Sequence, residues 1–147
     1  MAKDILSIAL HYLKFRPRSV FEIEQKLKSK KISESEIKKV IQILQSQKLL
    51  DDQKFAKMWV RDRNLLKPTG SYVLKLELKR LGIKAEIIEE ALEDQDEEVL
   101  ARKALDSKHR YQNADFPKQA AFLQRRGFAT GVIYKILNAN LKNQNSK

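Results

Sequence analysis

LKRLGIK, residues 78–84, decides how this chain folds, because the same word returns as LQRRGFA at residues 123–129. A blurred third copy, LKSKKIS, lies at residues 27–33 with Lys31 where the glycine would be. Self-similarity of this kind is the signature of tandem repeats. Superposing Leu27, Leu78 and Leu123 aligns Ile32, Ile83 and Phe128, with 51 and then 45 residues between copies. Beyond the turn the alignment runs on to Ile37, Ile87 and Val132, which requires one extra residue in the first copy. A glycine directly after an apolar stretch marks a helix end with a left-handed backbone, and the next apolar residue packs back onto the last turn. Lys31 must adopt that backbone at some cost or use a different turn, and its extra residue points to a different turn.

Working outward from these turns, apolar spacing and capping residues define helices. Asp4 to Phe15 carries Ile5, Ile8, Ala9, Tyr12 and Leu13 at helical spacing, and RPRS (residues 16–19) breaks it. Ser19 with Glu22, and Ser33 with Glu36, form capping boxes for two further helices. The pattern restarts at Asp51 or Asp52, which caps a helix carrying Phe55, Ala56, Trp59 and Val60. VLKLELKRL (residues 73–81) alternates like a strand, yet Leu74, Leu78 and Leu81 also fit a helix. Its counterparts, Val20-Ile23-Leu27 and Phe116-Ala120-Leu123, are helical in period, so all three are expected to be helices. A third restart is expected near Glu97, with Val99, Leu100 and Leu105. The fold expected is all-α, three tandem three-helix repeats over 1–50, 51–95 and 96–140, followed by a frayed polar tail at 141–147. Units this small cannot bury both faces alone, so they are expected to stack into an elongated, curved array.

Composition narrows the chemistry. With no cysteine in 147 residues, disulfides and thiolate zinc sites are excluded. No apolar run reaches membrane-span length and the N-terminus does not read as a signal peptide, so a cytoplasmic protein without membrane contact is expected. Net charge is +11, although eight of the 19 carboxylates are concentrated in EIIEEALEDQDEE (residues 86–98). The remainder of the chain is strongly basic, which implies a polyanionic partner. His11 and His109 have no carboxylate at ligand spacing, and the glycines form no phosphate loop. Asp51-Asp52 reads as a helix cap before it reads as a magnesium site. No enzyme, metal or cofactor is expected. Basic side chains recur on the second helices and their exits, including Lys79 and Arg80, then Arg125 and Arg126, while Trp59 sits at a core position.

At this point the sequence resembles the RecX family of bacterial recombination regulators. The resemblance rests on RPRS with Leu27, on LLDDQKFAKMWVRDR (residues 49–63), on Gly70, Leu74, Glu77-Leu78 and LGI (residues 81–83), and on FLQRRGF (residues 122–128) with Ile133. It implies a non-enzymatic monomer that binds the RecA–single-stranded DNA filament in its groove, restrains its growth or promotes its disassembly, and so lowers ATP hydrolysis and strand exchange. RecA in filament form and single-stranded DNA would be its partners, with duplex DNA a further candidate for the basic surface. The contact residues expected are Arg16, Arg18, Arg61, Arg63, Lys79, Arg80, Arg125 and Arg126. The alternative is a basic helical protein that acts on DNA directly, without RecA. Against it, no helix shows the Arg, Asn or Gln cluster of base-edge readout.

Overall fold

Every regular element among the described residues, 2–145 in this computed structural model, is a helix. In chain order they are α1 (Ala2–Phe15), α2 (Val20–Ser29), α3 (Glu34–Ser46), α4 (Asp52–Leu66), α5 (Ser71–Arg80), α6 (Ala85–Leu92), α7 (Glu97–Ser107), α8 (His109–Gln112), α9 (Phe116–Arg125) and α10 (Thr130–Asn145). Their starts follow the caps. Ser19 Oγ accepts from the Glu22 N–H at 3.2 Å while Glu22 Oε1 accepts from the Ser19 N–H at 3.1 Å, a reciprocal box. Ser33 Oγ accepts from Glu36 N–H at 3.4 Å. Asp51 caps α4, its Oδ1 accepting from the N–H groups of Gln53 (3.0 Å) and Lys54 (3.2 Å), which leaves Asp52 free for another task. The ambiguous VLKLELKRL is helical: Leu74 and Leu78 are fully buried while Leu76 is 38% exposed, which strand alternation would not produce.

The three turns are alike, contrary to the expectation for Lys31. In each, the apolar residue after the turn donates its N–H to the carbonyl of the aligned leucine: Ile32 to Leu27 (3.3 Å), Ile83 to Leu78 (3.1 Å) and Phe128 to Leu123 (3.2 Å). Lys31 adopts the left-handed backbone (φ 62°) as Gly82 (φ 76°) and Gly127 (φ 94°) do. Its side chain is exposed, so the strain of about 1–2 kcal/mol is the whole penalty. The extra residue disappears as well. Ile88 and Ile133, rather than Ile87 and Val132, are buried in the place of Ile37, five residues after Ile83 and Phe128. Both pairs are adjacent apolar residues, so periodicity allowed either register and burial selects the second. Val99 is exposed, Ala101 and Ala104 taking the inward face of α7. The last helix continues to Asn145, with no proline or glycine after Gly131 to stop it; residues 146 and 147 lie outside the described residues.

The chain forms two compact units. One runs to Met58 and takes in Leu78–Ala91; the other takes Trp59–Glu77 and the chain from Leu92 onward. In the first, Ile23, Leu27 and Leu44 are buried completely among residues of α1, α2 and α3. In the second, Leu123, Ile136 and Ala104 centre the core of α7, α9 and α10.

Each unit contains one copy of the same clasp. In the first, Ser19 Oγ donates to the Leu81 carbonyl (2.6 Å), and Val20 N–H donates to Asp52 Oδ1 (2.9 Å). In the second, Gly70 N–H donates to the Arg126 carbonyl (2.7 Å), and Ser71 N–H donates to Glu97 Oε1 (2.9 Å). Val20 and Ser71 are 51 residues apart, Asp52 and Glu97 are 45, and these are the repeat spacings. The chemistry is that of a helix N-terminus, whose first N–H groups lack internal partners and favour a carboxylate. Closeness of approach fixes the glycines: a Cβ on Gly82 would lie 2.2 Å from Phe21 Cβ.

Burial raises the Asp52 pKa above its ordinary value, and Asp51 and Glu22 add to this, while the Val20 N–H and Lys84 oppose it. A folded pKa above the unfolded one contributes stability that is complete below the unfolded pKa and is lost as pH rises through the folded value. At neutral pH the ionised carboxylate therefore carries a desolvation penalty. Asp52→Asn retains an acceptor for Val20 and removes the charge. Urea titrations from acid to neutral pH should show the variant at least as stable as wild type at neutrality, with a flatter profile in the carboxylate range. A loss of stability at neutral pH would contradict the assignment.

Candidate functional site

The eight cations expected to make contacts separate into two groups. Arg18 lies over the Tyr12 ring, its Cζ 3.8 Å from the centroid, donates from Nε to the Tyr12 carbonyl (3.3 Å), and is held 3.6 Å from Glu22. Its side chain is 12% exposed, too little for it to reach a partner without breaking these contacts. Arg16 joins the same carboxylate of Glu22 and donates to the Pro17 carbonyl at 2.8 Å, while staying more open to solvent. Arg63 grips Glu77 with Nε at 2.9 Å from Oε1 and a guanidinium nitrogen at 2.9 Å from Oε2. Trp59 Nε1 donates to the same Glu77 Oε1 at 3.0 Å, so this half-buried tryptophan is tied by its polar edge as well as packed. Arg126 donates to the Pro68 carbonyl at 2.8 Å and rests 5.1 Å from the Phe122 centroid. Burial lowers its pKa, and the neighbouring Arg63 lowers it further, yet an arginine stays charged at neutral pH. These four are tied into the folded frame, Arg16 being the most open of them and still able to reach a partner.

The other four present their charge to solvent. Arg61 is 70% exposed, and its only polar partner among the described residues is the adjacent Asp62, at 3.4 Å. Lys79 and Arg80 close the last turn of α5, both exposed and without a polar partner among the described residues. Arg125 is exposed at the end of α9 and donates to the Tyr111 hydroxyl at 3.1 Å. Alignment on the glycines makes Arg80 and Arg125 equivalent, whereas Arg126 falls at the place of Leu81 and turns inward. The two basic pairs are therefore offset by one position, and a single exposed arginine is what each glycine turn shares. An exposed guanidinium repeated at one structural position suits a partner that repeats its own negative charge.

A groove of about 610 Å³ on α1 and α2 was not legible as a site in the sequence. Ile8, His11, Tyr12 and Phe15 line one side, with Lys26 and Lys30 opposite. Phe15 is 69% exposed, with the His11 ring edge-on at 5.0 Å, so a flat or apolar group could lie against it beside positive charge. The signal was present as aromatic side chains at residues 11, 12 and 15 of one helix, but Tyr12 read as core. Among the described residues no three His, Cys, Asp or Glu come together as metal ligands, and no helix is long and apolar enough to cross a membrane.

The family model for the RecX first three-helix domain matches residues 6–44, and that for the RecX second three-helix domain matches residues 51–92. The regulatory protein RecX of Prosthecochloris aestuarii is 35% identical over 145 residues, covering 96% of each chain. That of Thermotoga maritima is 37% identical over 142 residues, covering 93% of this chain and 84% of the relative. A Geobacillus relative, 36% identical, is longer, and the match spans 51% of its length. The crystal structure of RecX from Lactobacillus salivarius superposes with a TM-score of 0.84 at 27% identity, covering 94% of this chain and 95% of that one. Repeated glycine turns, an all-helical fold and matches that run nearly end to end lead to one conclusion: the chain belongs to the RecX family of regulatory proteins.

Proposed function

We propose that this protein is a non-enzymatic regulator that binds RecA assembled on single-stranded DNA and restrains that filament, lowering its ATP hydrolysis and strand exchange. The observation that carries the proposal is the repeated placement of an unburied arginine, Arg80 and Arg125, beside the glycine turn that closes each clasp. In this proposal the chain is built of three tandem three-helix segments, 1–50, 51–95 and 96–140, and works as a monomer in the cytoplasm. Arg61, Lys79, Arg80 and Arg125 touch the filament, Arg16 contributes from the loop before α2, and Arg18, Arg63 and Arg126 hold the frame. Weak contacts at several points add up only if the partner presents several matching points, and such binding falls with salt.

The test is RecA's DNA-dependent ATPase, titrated with the protein at fixed salt beside a titration of naked single-stranded DNA. Inhibition at concentrations below those that coat naked DNA is expected. Inhibition that appears only when naked DNA is saturated would favour direct action on DNA, and no effect on RecA well above DNA-binding concentrations would sink the proposal.

A further inference from the structure

The end of α4 holds an arrangement that the proposed contacts leave unused. Leu65 and Leu66 are each 78% exposed, and Tyr72 in the first turn of α5 is 67% exposed. A solitary exposed leucine is ordinary, but adjacent ones at a fixed helix end mark an interaction surface. The loop that follows is held from several sides. Thr69 is buried, with its N–H donating to Asn64 Oδ1 (2.8 Å) and its hydroxyl to the Lys67 carbonyl (2.7 Å). Gln95 Nε2 donates to the Thr69 carbonyl (3.1 Å), and Arg126 donates to that of Pro68 (2.8 Å). The two leucines thus close the last turn of α4 directly before a loop that polar side chains fix, so little conformational freedom remains to be lost on docking. Arg61, one turn before Leu65, and Lys67, next to Leu66, are both exposed and set positive charge at either end of the pair.

We propose that Leu65 and Leu66 form an apolar anchor for the protein part of the filament, entering an aliphatic pocket bordered by carboxylates that meet Arg61 and Lys67. The assignment rests on the filament reading given above. Single-stranded DNA fits the pair less well, because leucine offers neither a ring for base stacking nor a donor for phosphate. A second copy fits poorly too, since a two-fold contact would set the same cations against each other.

The test is a Leu65→Ser/Leu66→Ser double variant, measured for binding to RecA–single-stranded DNA filaments and to naked single-stranded DNA at low and raised salt, with sedimentation of both proteins. Helicity, unfolding midpoint and naked-DNA affinity should match wild type, while filament binding weakens roughly tenfold to hundredfold. That loss should persist at raised salt, as an apolar contact does. If the double variant loses helicity, Leu66→Ser alone carries the same expectation. Unchanged filament binding would overturn the anchor while leaving the filament reading intact. So would a parallel loss on naked DNA, or a wild-type dimer that the substitutions dissolve. A wild-type protein that binds filaments no better than naked DNA overturns the filament reading itself, and the anchor with it.

Discussion

Gly70→Ala should cost about 4 kcal/mol of unfolding free energy, a large part of the 5–15 kcal/mol that holds a typical domain together. A Cβ at this position would stand 2.2 Å from the carbonyl carbon and oxygen of Gly127 and 2.5 Å from the Phe128 nitrogen. All three are backbone atoms, so no rotamer change relieves the clash. The strands of chain must separate, and overpacking of this kind ordinarily costs about 1–3 kcal/mol before any bonds are lost. Separation also pulls apart the Gly70–Arg126 bond at 2.7 Å, the Tyr72–Gly127 bond at 3.2 Å and the Ser71–Glu97 bond at 2.9 Å. Each is worth about 0.5–1.5 kcal/mol net. Gly131→Ala is the control: its Cβ would meet nothing within 4 Å in the first turn of α10, so it should be neutral or stabilising by up to about 1 kcal/mol. Urea unfolding of the three proteins measures both effects. Equal midpoints for Gly70→Ala and wild type would mean the clasp is not closed as described.

Replacing Arg61, Lys79, Arg80 and Arg125 together by glutamate should raise the concentration needed to inhibit RecA roughly hundredfold, with little change in unfolding midpoint. All four side chains are exposed, so reversal leaves no buried charge without its partner. The comparison that isolates position from net charge is the reversal of Lys38, Lys39, Lys48 and Lys54, also exposed, which changes total charge equally. That control should lose distinctly less. By contrast, Arg63→Ala leaves the half-buried Glu77 with Trp59 as its one remaining polar partner among the described residues, and its first effect should be on stability. Equal impairment by both quadruple variants would reduce the surface to a diffuse positive field.

Much of the fold was legible because the repeat appears in three places and each copy checks the others. The strand-like alternation at residues 73–81 was settled in this way, and α5 is a helix. The register beyond the turn was not legible: Ile87-Ile88 and Val132-Ile133 each offer two apolar neighbours, and only packing selects the buried one. Lys31 misled for a related reason. A lysine in left-handed backbone looks costly, but an exposed side chain makes it tolerable, whereas Gly82 answers to Phe21 pressing on it as well as to its own φ. The cations were legible as a set and not as individuals. Nothing in RPRS announces that Arg18 covers Tyr12, or in QRRG that Arg125 faces solvent while Arg126 reaches Pro68. Such assignments depend on residues far off in sequence, which a local word cannot carry.

The most direct test of a filament regulator is affinity for the filament itself. The protein should be titrated onto RecA–single-stranded DNA filaments and onto the same DNA without RecA, at one salt concentration. The account predicts tighter binding to the filament by a factor on the order of ten or more. Equal affinity for the two would contradict it.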